Sequence, residues 1–525
     1  MAWETSSNRQ KVEVVVIGAG LSGVAAAITL RRAGVEGVVV LEKSGRLGGT
    51  WRDSTYPGCG CDVPSMLYEY SFAPHPWSRS FAGRSEILDY LERTAALHGA
   101  DEAIRYGTEV LSARWEPNTH RWRVETTAGT YTARAVIAAT GPWHRPRVPD
   151  VPGLDAFPGT SFHSARWNHD ADLTGRRVAV VGTGASTVQF LPEIQPVAAH
   201  LDVFQSTPPW VLPRPDYPLS PGLHRFLGRR PAARRALRAL HHWTQEAIGV
   251  PLRHPRLLRP LETAARLHLR ASVPDRDLRR ALTPDHRLGG RRLITSDTYY
   301  PALTRPNVRL HATRVTAVEG SHVVGADGTR AHADVIVLAT GYHVGEIPLA
   351  QRLHGTDGIP LATTWAGDRR AYLGTNVSGY PNLFLLVGPN LLTGTTAVPT
   401  VLEAQLRYVT AALTHLRTSG YAALDVKPAA EEAHQEALRE ALRTTVYNSG
   451  GASGYYFGLP GVNTFSWPWS TARLVKRLDA FTPDAYTWTL PGRLPAQTRN
   501  ARHSLLGDTA HEARPGTDSG SGAEK

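Results

Sequence analysis

Cysteine is almost missing from this 525-residue chain: only Cys59 and Cys61 occur, with one residue between them. That spacing suits neither a structural disulfide nor a C-x-x-C redox pair. Lysine is scarce as well, so the formal net charge of +12 is carried by arginine. No recognised nucleic-acid motif accompanies it. The charge therefore reads as a solvated Arg-rich surface with a weak attraction for anionic nucleotides, and no nucleic acid is expected as a partner. No apolar run reaches the roughly 18 residues of a membrane span. The N-terminal MAWETSSNRQK lacks the apolar core of a signal peptide. The 22 histidines show no metal-ligand clustering. These absences predict a soluble, cytoplasmic protein without a metal site or stable membrane insertion, long enough for about two or three domains.

What the chain does have is glycine in particular places. Val12–Ile17 is apolar apart from Glu13 and runs into Gly18-Ala-Gly20-Leu-Ser-Gly23, then an Ala/Leu-rich helix to Arg32. A second run, Val38–Leu41, ends at Glu42, about twenty residues past the glycines. Strand, turn, helix, strand and acid together are the fingerprint of a dinucleotide fold. Gly18 makes the tight turn, Gly20 lets backbone approach a pyrophosphate, and Gly23 lets helix pack on strand. Glu42 accepts from a ribose 2′-hydroxyl and would repel a 2′-phosphate, so this site fits FAD or NAD. Gly48-Gly49-Thr50-Trp51 follows, then Tyr56-Pro57-Gly58 and Asp62. The glycine pair is either a surface turn or backbone lying against a flavin; its place just after Glu42 favours the flavin. Arg84–His98 predicts a helix with Ile87, Leu88, Leu91 and Leu97 on one face. Trp122–Thr126 and Thr130–Arg134 predict strands, and Ala135–Ala139 a further strand ending at Thr140-Gly141.

The signature repeats. Val178–Val181 leads into Gly182-Thr-Gly184-Ala-Ser-Thr187, with Thr187 in place of the third glycine. The next strand, His200–Gln205, ends at Ser206, with neither an acid for NAD nor an arginine for a 2′-phosphate. Arg291 and Arg292 further on are the residues that could supply that charge. Val335–Leu338 ends in Ala339-Thr340-Gly341, repeating Ala139-Thr140-Gly141. Between lies an Arg-rich helical stretch, Leu219 to His286, read as a helical subdomain with a solvated basic face in preference to a membrane-surface helix. A helix beginning near Val401 carries Glu403 and Gln405. The loops Gly450–Phe457 and Val462–Trp469 suit either a substrate pocket or core packing.

The architecture expected is therefore α/β: two dinucleotide-binding (Rossmann-like) domains, for FAD and NADP, with a helical insertion in the second. The expected boundaries are 8–150 and 341–493 for the FAD domain, 151–340 for the NADP domain with its insertion at about 215–286, and a disordered tail at 494–525.

Between the two folds stands Phe157-x-Gly159-x-x-x-His163-x-x-x-Trp167. Singly, His163 and Trp167 read as structural residues. With this spacing, and with Gly49-x-Trp51-x-x-x-x-Tyr56-Pro57-Gly58-x-x-x-Asp62, the chain resembles the type I Baeyer–Villiger monooxygenases, class B flavoprotein monooxygenases, over roughly residues 10 to 490. The resemblance implies FAD and NADPH (NADH being possible) as cofactors, a ketone and O2 as substrates, and an ester or lactone as product. A hydrophobic cyclic or natural-product ketone is the expectation by analogy, with the enzyme a monomer or homodimer. It implies catalytic roles for Arg292, held by Asp62, and for His163 in domain coupling and catalysis. Arg291 falls where the family has a basic residue for the 2′-phosphate. The cofactor set is then Gly18, Gly20, Gly23, Glu42, Gly49, Thr50, Trp51, Asp62, Gly182, Gly184, Thr187, Ser206, Arg291, Thr340 and Gly341. Three residues depart from the family pattern: Asn168 after the signature Trp, Thr187, and Ser206 where an arginine is usual. The competing readings are an N- or S-hydroxylating enzyme on the same scaffold and a non-oxygenating flavin-binding adaptor.

Overall fold

The structure is a computed structural model that describes residues 9–392, 394–451, 457 and 461–492. The expected tail at 494–525 and most of the loop Gly450–Phe457 lie outside these residues. Two sheets organise the molecule, the first mixed and the second parallel throughout. In the first, Arg9–Ile17 is central, flanked in parallel by Val38–Leu41 and Gly129–Ala138. Val14, Val15 and Val16 are wholly buried, as expected of a parallel strand covered on both faces.

The strand Gly129–Ala138 serves two further partners besides Arg9–Ile17. Its first half pairs antiparallel with Arg121–Thr126, and its last residues pair in parallel with Leu383–Leu385. The pieces Thr130–Arg134 and Ala135–Ala139, read separately in the sequence, are thus one strand, and the chain returns from beyond residue 380 to complete the first sheet. The second sheet is all parallel, in the order Val308–His311, His200–Phe204, Arg177–Val181, Val335–Leu338, Thr160–His163. The strand that begins at His200 stops at Phe204, one residue short of the expected end.

The helix Arg84–Leu97 buries Ile87, Leu88 and Leu91, but Leu97 is 81% exposed. Six residues beyond Leu91, at about 100° each, Leu97 has rotated off the buried face. The helix expected near Val401 starts at Val398. Gln405 on it is fully buried and clamps the exit of the last strand, accepting from Val387 N–H at 2.8 Å and donating to Leu385 O at 3.0 Å.

Between His200–Phe204 and Val308–His311 of the second sheet come the helices Pro221–Arg229, Pro231–Arg253, Arg259–Ser272 and Arg276–Ala281. Ser220 and Asp275 cap the first and last through Leu223 and Leu278 N–H. The long helix is fastened to the first fold: Arg234 donates to both oxygens of buried Glu69 at 2.8 Å, and Arg238 to Met66 O at 2.8 Å.

Candidate active site at the seam of the two folds

A glycine turn stands at the carboxyl end of Arg9–Ile17 in the first sheet and of Arg177–Val181 in the second. Gly18 has φ +103° and accepts no side chain without strain, because a Cβ would lie 3.0 Å from Ala139 O. Gly182 repeats this with φ +105° and Ala339 O at 2.6 Å. The backbone bonds repeat too: Gly18 N–H to Leu41 O at 2.8 Å, Gly182 N–H to Phe204 O at 2.9 Å. The following helices begin at Gly20 and Gly184 with no side-chain cap and no acid in the first turn. Their leading N–H groups are open to an anion, so both turns fit a pyrophosphate.

At the first turn Gly20 faces Gly49, whose φ is +53°; a Cβ on Gly49 would stand 3.0 Å from Gly20 Cα. Thr50, exposed, opens a short helix, and buried Trp51 donates to Tyr68 Oη at 3.0 Å. Glu42 is 5% exposed and accepts from Ala19 N–H at 2.8 Å, Ser44 N–H at 2.9 Å and Arg52 at 3.1 Å. At the second turn the residue in register with Glu42 is Gln205, whose N–H bonds His311 O as that of Glu42 bonds Arg105 O. Gln205 is buried and donates to Ala281 O at 2.9 Å; Ser206 beyond it is exposed. Arg291 is half-buried, with burial lowering its pKa and Asp285 opposing the shift.

The segment Tyr56–Asp62 crosses from the first fold to the second. Tyr56 donates to Gln189 Oε1 at 2.9 Å, and Gln189 returns a bond to Gly60 O at 3.0 Å. Gly58 lies so close that a Cβ would meet Gln189 O at 2.5 Å. Phe190 carries the contact onward to Trp167, and Trp167 to Phe162, with ring centroids 5.3 and 5.1 Å apart. At the end of this segment Asp62 Oδ2 accepts from Arg292 Nη2 at 2.5 Å. The pair is half-open to solvent, with side-chain exposures of 26% and 40%. Residues 230 apart, on different folds, thus meet as an ion pair at the seam.

Trp143 lies beside them, 6.0 Å from the Arg292 guanidinium, and touches Tyr342 and Phe465 at 5.8 and 6.2 Å. Trp143 follows Gly141 and Tyr342 follows Gly341, so the two closing glycine turns each contribute an aromatic ring to one cluster. Sequence reasoning passed over both, although the repeated Ala-Thr-Gly endings pointed to them. Thr340 donates to Arg147 O at 2.5 Å, and Gly341, with φ +84°, accepts from Arg147 N–H at 2.8 Å.

His163 is buried beneath this cluster, 6.1 Å from Tyr342. Its Nδ1 accepts from Ala165 N–H at 3.0 Å. Burial lowers its pKa to about 4, against an upward pull from the Gly341 backbone. The ring is neutral at neutral pH with its proton on Nε2. Arg369 was also missed: buried, it donates to Val344 O and Thr464 Oγ1, and burial lowers its pKa to about 10. Burial raises Cys59 to about 11 and pushes Cys61 further up. Both remain protonated thiols, which removes disulfide chemistry from this site.

Comparisons with known proteins agree with this geometry. The family described as pyridine nucleotide-disulphide oxidoreductase matches residues 15–242. A Baeyer-Villiger monooxygenase of Streptomyces coelicolor is 44% identical over 98% of this chain and 98% of its own. One from Pseudomonas aeruginosa is 35% identical over 96% of each. A solved structure of OTEMO in complex with FAD and NADP superposes with a TM-score of 0.82 at 27% identity, covering 91% of this chain and 99% of that one. With two Rossmann-like folds meeting at an arginine–aspartate pair, and relatives of this identity along nearly its whole length, the chain belongs to the Baeyer–Villiger monooxygenase family.

Proposed function

We propose that this chain uses FAD and NADPH to insert one atom of O2 beside the carbonyl of a hydrophobic ketone, releasing an ester or lactone. In this reading residues 8–150 and 341–493 hold the flavin, and 151–340 hold the nicotinamide nucleotide. The observation that carries it is the Arg292–Asp62 pair at the seam of the folds. When bound, the flavin would relay two electrons from NADPH to O2, so that one oxygen atom is inserted and the other leaves as water.

The chain's own residues do the rest. Gly18, Gly20 and Gly23 with Gly49 shape the first pyrophosphate cradle, and Glu42 accepts from a ribose hydroxyl on its remaining lone pairs. Gly182, Gly184 and Thr187 shape the second. Arg292 keeps its charge at any working pH, and it stabilises negative charge developing on oxygen as a ketone carbonyl is attacked. Asp62 fixes the direction of that guanidinium, so little reorganisation is needed when charge appears. Trp143, Tyr342 and Phe465 form the apolar side of the site and exclude water. Neutral His163 acts as a spacer between the linker strand and the Gly341 turn, coupling the folds without moving a proton at neutral pH. Ser206 and Arg291 together set the preference for NADPH over NADH.

Arg292→Ala tests the reading. Reduction of bound flavin by NADPH should persist, while ketone oxygenation falls by about 100-fold or more, the usual effect of removing one such charge-stabilising group. Unchanged ester formation would refute the assignment, and activity confined to amines or sulfides would point to the N- or S-oxygenating alternative.

A further inference from the structure

The helix Pro231–Arg253 buries one side against the first fold and leaves the other without a partner among the described residues. Its outward positions Ala236, Leu240, Trp243, Ala247 and Val250 are all exposed, with Leu240 63% and Trp243 61% accessible. The spacing of four, three, four and three residues makes one continuous apolar stripe, about 21 Å long at 1.5 Å per residue. Phe226, 49% exposed, lies on the preceding helix beneath Arg230.

Within residues 221 to 272 the exposed acid–base charge has one sign. Residues 221 to 272 contain eleven arginines, no lysine and two acids, Glu246 and Glu262. Both acids are 5% exposed and turned inward, Glu246 to Thr471 N–H and Arg253, Glu262 to Arg287 and Leu288 N–H. Arg225, Arg229, Arg230 and Arg235 are exposed at one end of the stripe, and Arg256 and Arg259 at the other. An outward apolar face with tryptophan, bordered by arginine and with no exposed carboxylate of its own helical stretch, is the composition of a helix lying in the plane of an anionic lipid interface. A second copy of the chain would bring two such positive surfaces together. A nucleic acid would leave the apolar stripe unused.

We infer that this helix docks the enzyme reversibly on an anionic membrane surface, with Leu240 and Trp243 entering the headgroup region and the flanking arginines pairing with lipid phosphates. None of the described helices is long and apolar enough to cross a bilayer, so the contact is peripheral.

Sedimentation of the flavin-loaded enzyme with phosphatidylcholine vesicles, with and without phosphatidylglycerol, tests the inference. Binding should need phosphatidylglycerol, weaken in high salt, and fall by about tenfold or more in Leu240→Ser/Trp243→Ser and in Arg229→Glu/Arg230→Glu. Both double variants should keep wild-type flavin content and turnover of a soluble ketone, because these side chains are exposed and distant in sequence from the seam. Absence of vesicle binding by the wild type overturns the inference. So does equal binding to both vesicle types, or a dimer in light scattering that Trp243→Ser dissociates without any vesicle binding.

Discussion

The two glycine turns are built on one plan and differ where it matters for hold and choice. In the first, a Cβ on Gly23 would come within 1.8 Å of Gly18 O, so the helix rides directly on the turn. In the second, Thr187 occupies the equivalent place and its hydroxyl donates to Gly182 O at 2.8 Å, so the helix stands off by the width of a hydrogen bond. After the second strand the first fold has Glu42, fixed by two backbone N–H groups and Arg52, whereas the second has Gln205 and an exposed Ser206. The first turn is suited to a cofactor that stays. The second, looser and without a fixed acid, is suited to one that exchanges.

The largest effect should come from Gly23→Ala, which forces backbone apart, since the collision is with Gly18 O and not with a flexible side chain. Overpacking of this kind costs roughly 3 kcal/mol or more, and the protein should purify without flavin and with a lowered unfolding midpoint. Gly20→Ala separates the ligand from the fold. Its Cβ would meet Gly49 Cα at 3.6 Å and Gly49 N at 3.9 Å, both ordinary contacts, so stability should hold while flavin content falls. Equal behaviour of the two variants would break the contrast between a packing glycine and a cradle glycine.

The coupling between folds is sharpened by pH. Burial lowers His163 to about 4 from near 6.5 in the unfolded chain, so the unfolded state takes up the proton first. That stabilisation is complete above pH 6.5 and is lost as pH falls toward 4, roughly 3 kcal/mol at most. His163→Gln should remove about one proton from the acid-side dependence of the unfolding midpoint. The buried His75 and His434, lowered to about 4 and about 3, retain theirs. An unchanged slope would mean that His163 is solvated in solution.

Selectivity at the second fold follows in size. Ser206→Arg adds a charge beside the expected 2′-phosphate position, and a charge-assisted bond contributes about 1.5–3 kcal/mol. The NADPH/NADH ratio of kcat/KM should rise by roughly tenfold or more. No change would mean that Arg291 already meets the phosphate.

How much of this was legible in the sequence depended on whether the signal was local. The strand–glycine–helix units were legible because Gly18, Gly20, Gly23 and their counterparts are forced by backbone geometry within a few residues. The expectation of Asp62 beside Arg292 came through the family resemblance, since nothing in the 229 intervening residues encodes their approach. Gln205 was obscured by a strand end misplaced by one residue, which shifted attention to Ser206. Trp143 and Tyr342 meet only because two separate sheets converge. Leu97 failed because its apolar character suggested burial while its helical phase did not.

Thr187 gives the smallest expected effect and the finest test of the comparison. If it were only a tolerated substitute for glycine, its removal would cost little. The structure has it wholly buried and bonded to the turn that Gly182 forms. Thr187→Ala deletes that bond, about 1 kcal/mol, and a buried methyl, close to another. The denaturant midpoint should therefore fall by the equivalent of roughly 2 kcal/mol, with flavin content unchanged because the first fold is untouched. NADPH affinity should weaken only slightly, since the N–H groups of the turn keep their positions. An unshifted midpoint would show that the second helix stands off from its turn without the hydroxyl, and the distinction between a tight and a spaced turn would then rest on Gly23 alone.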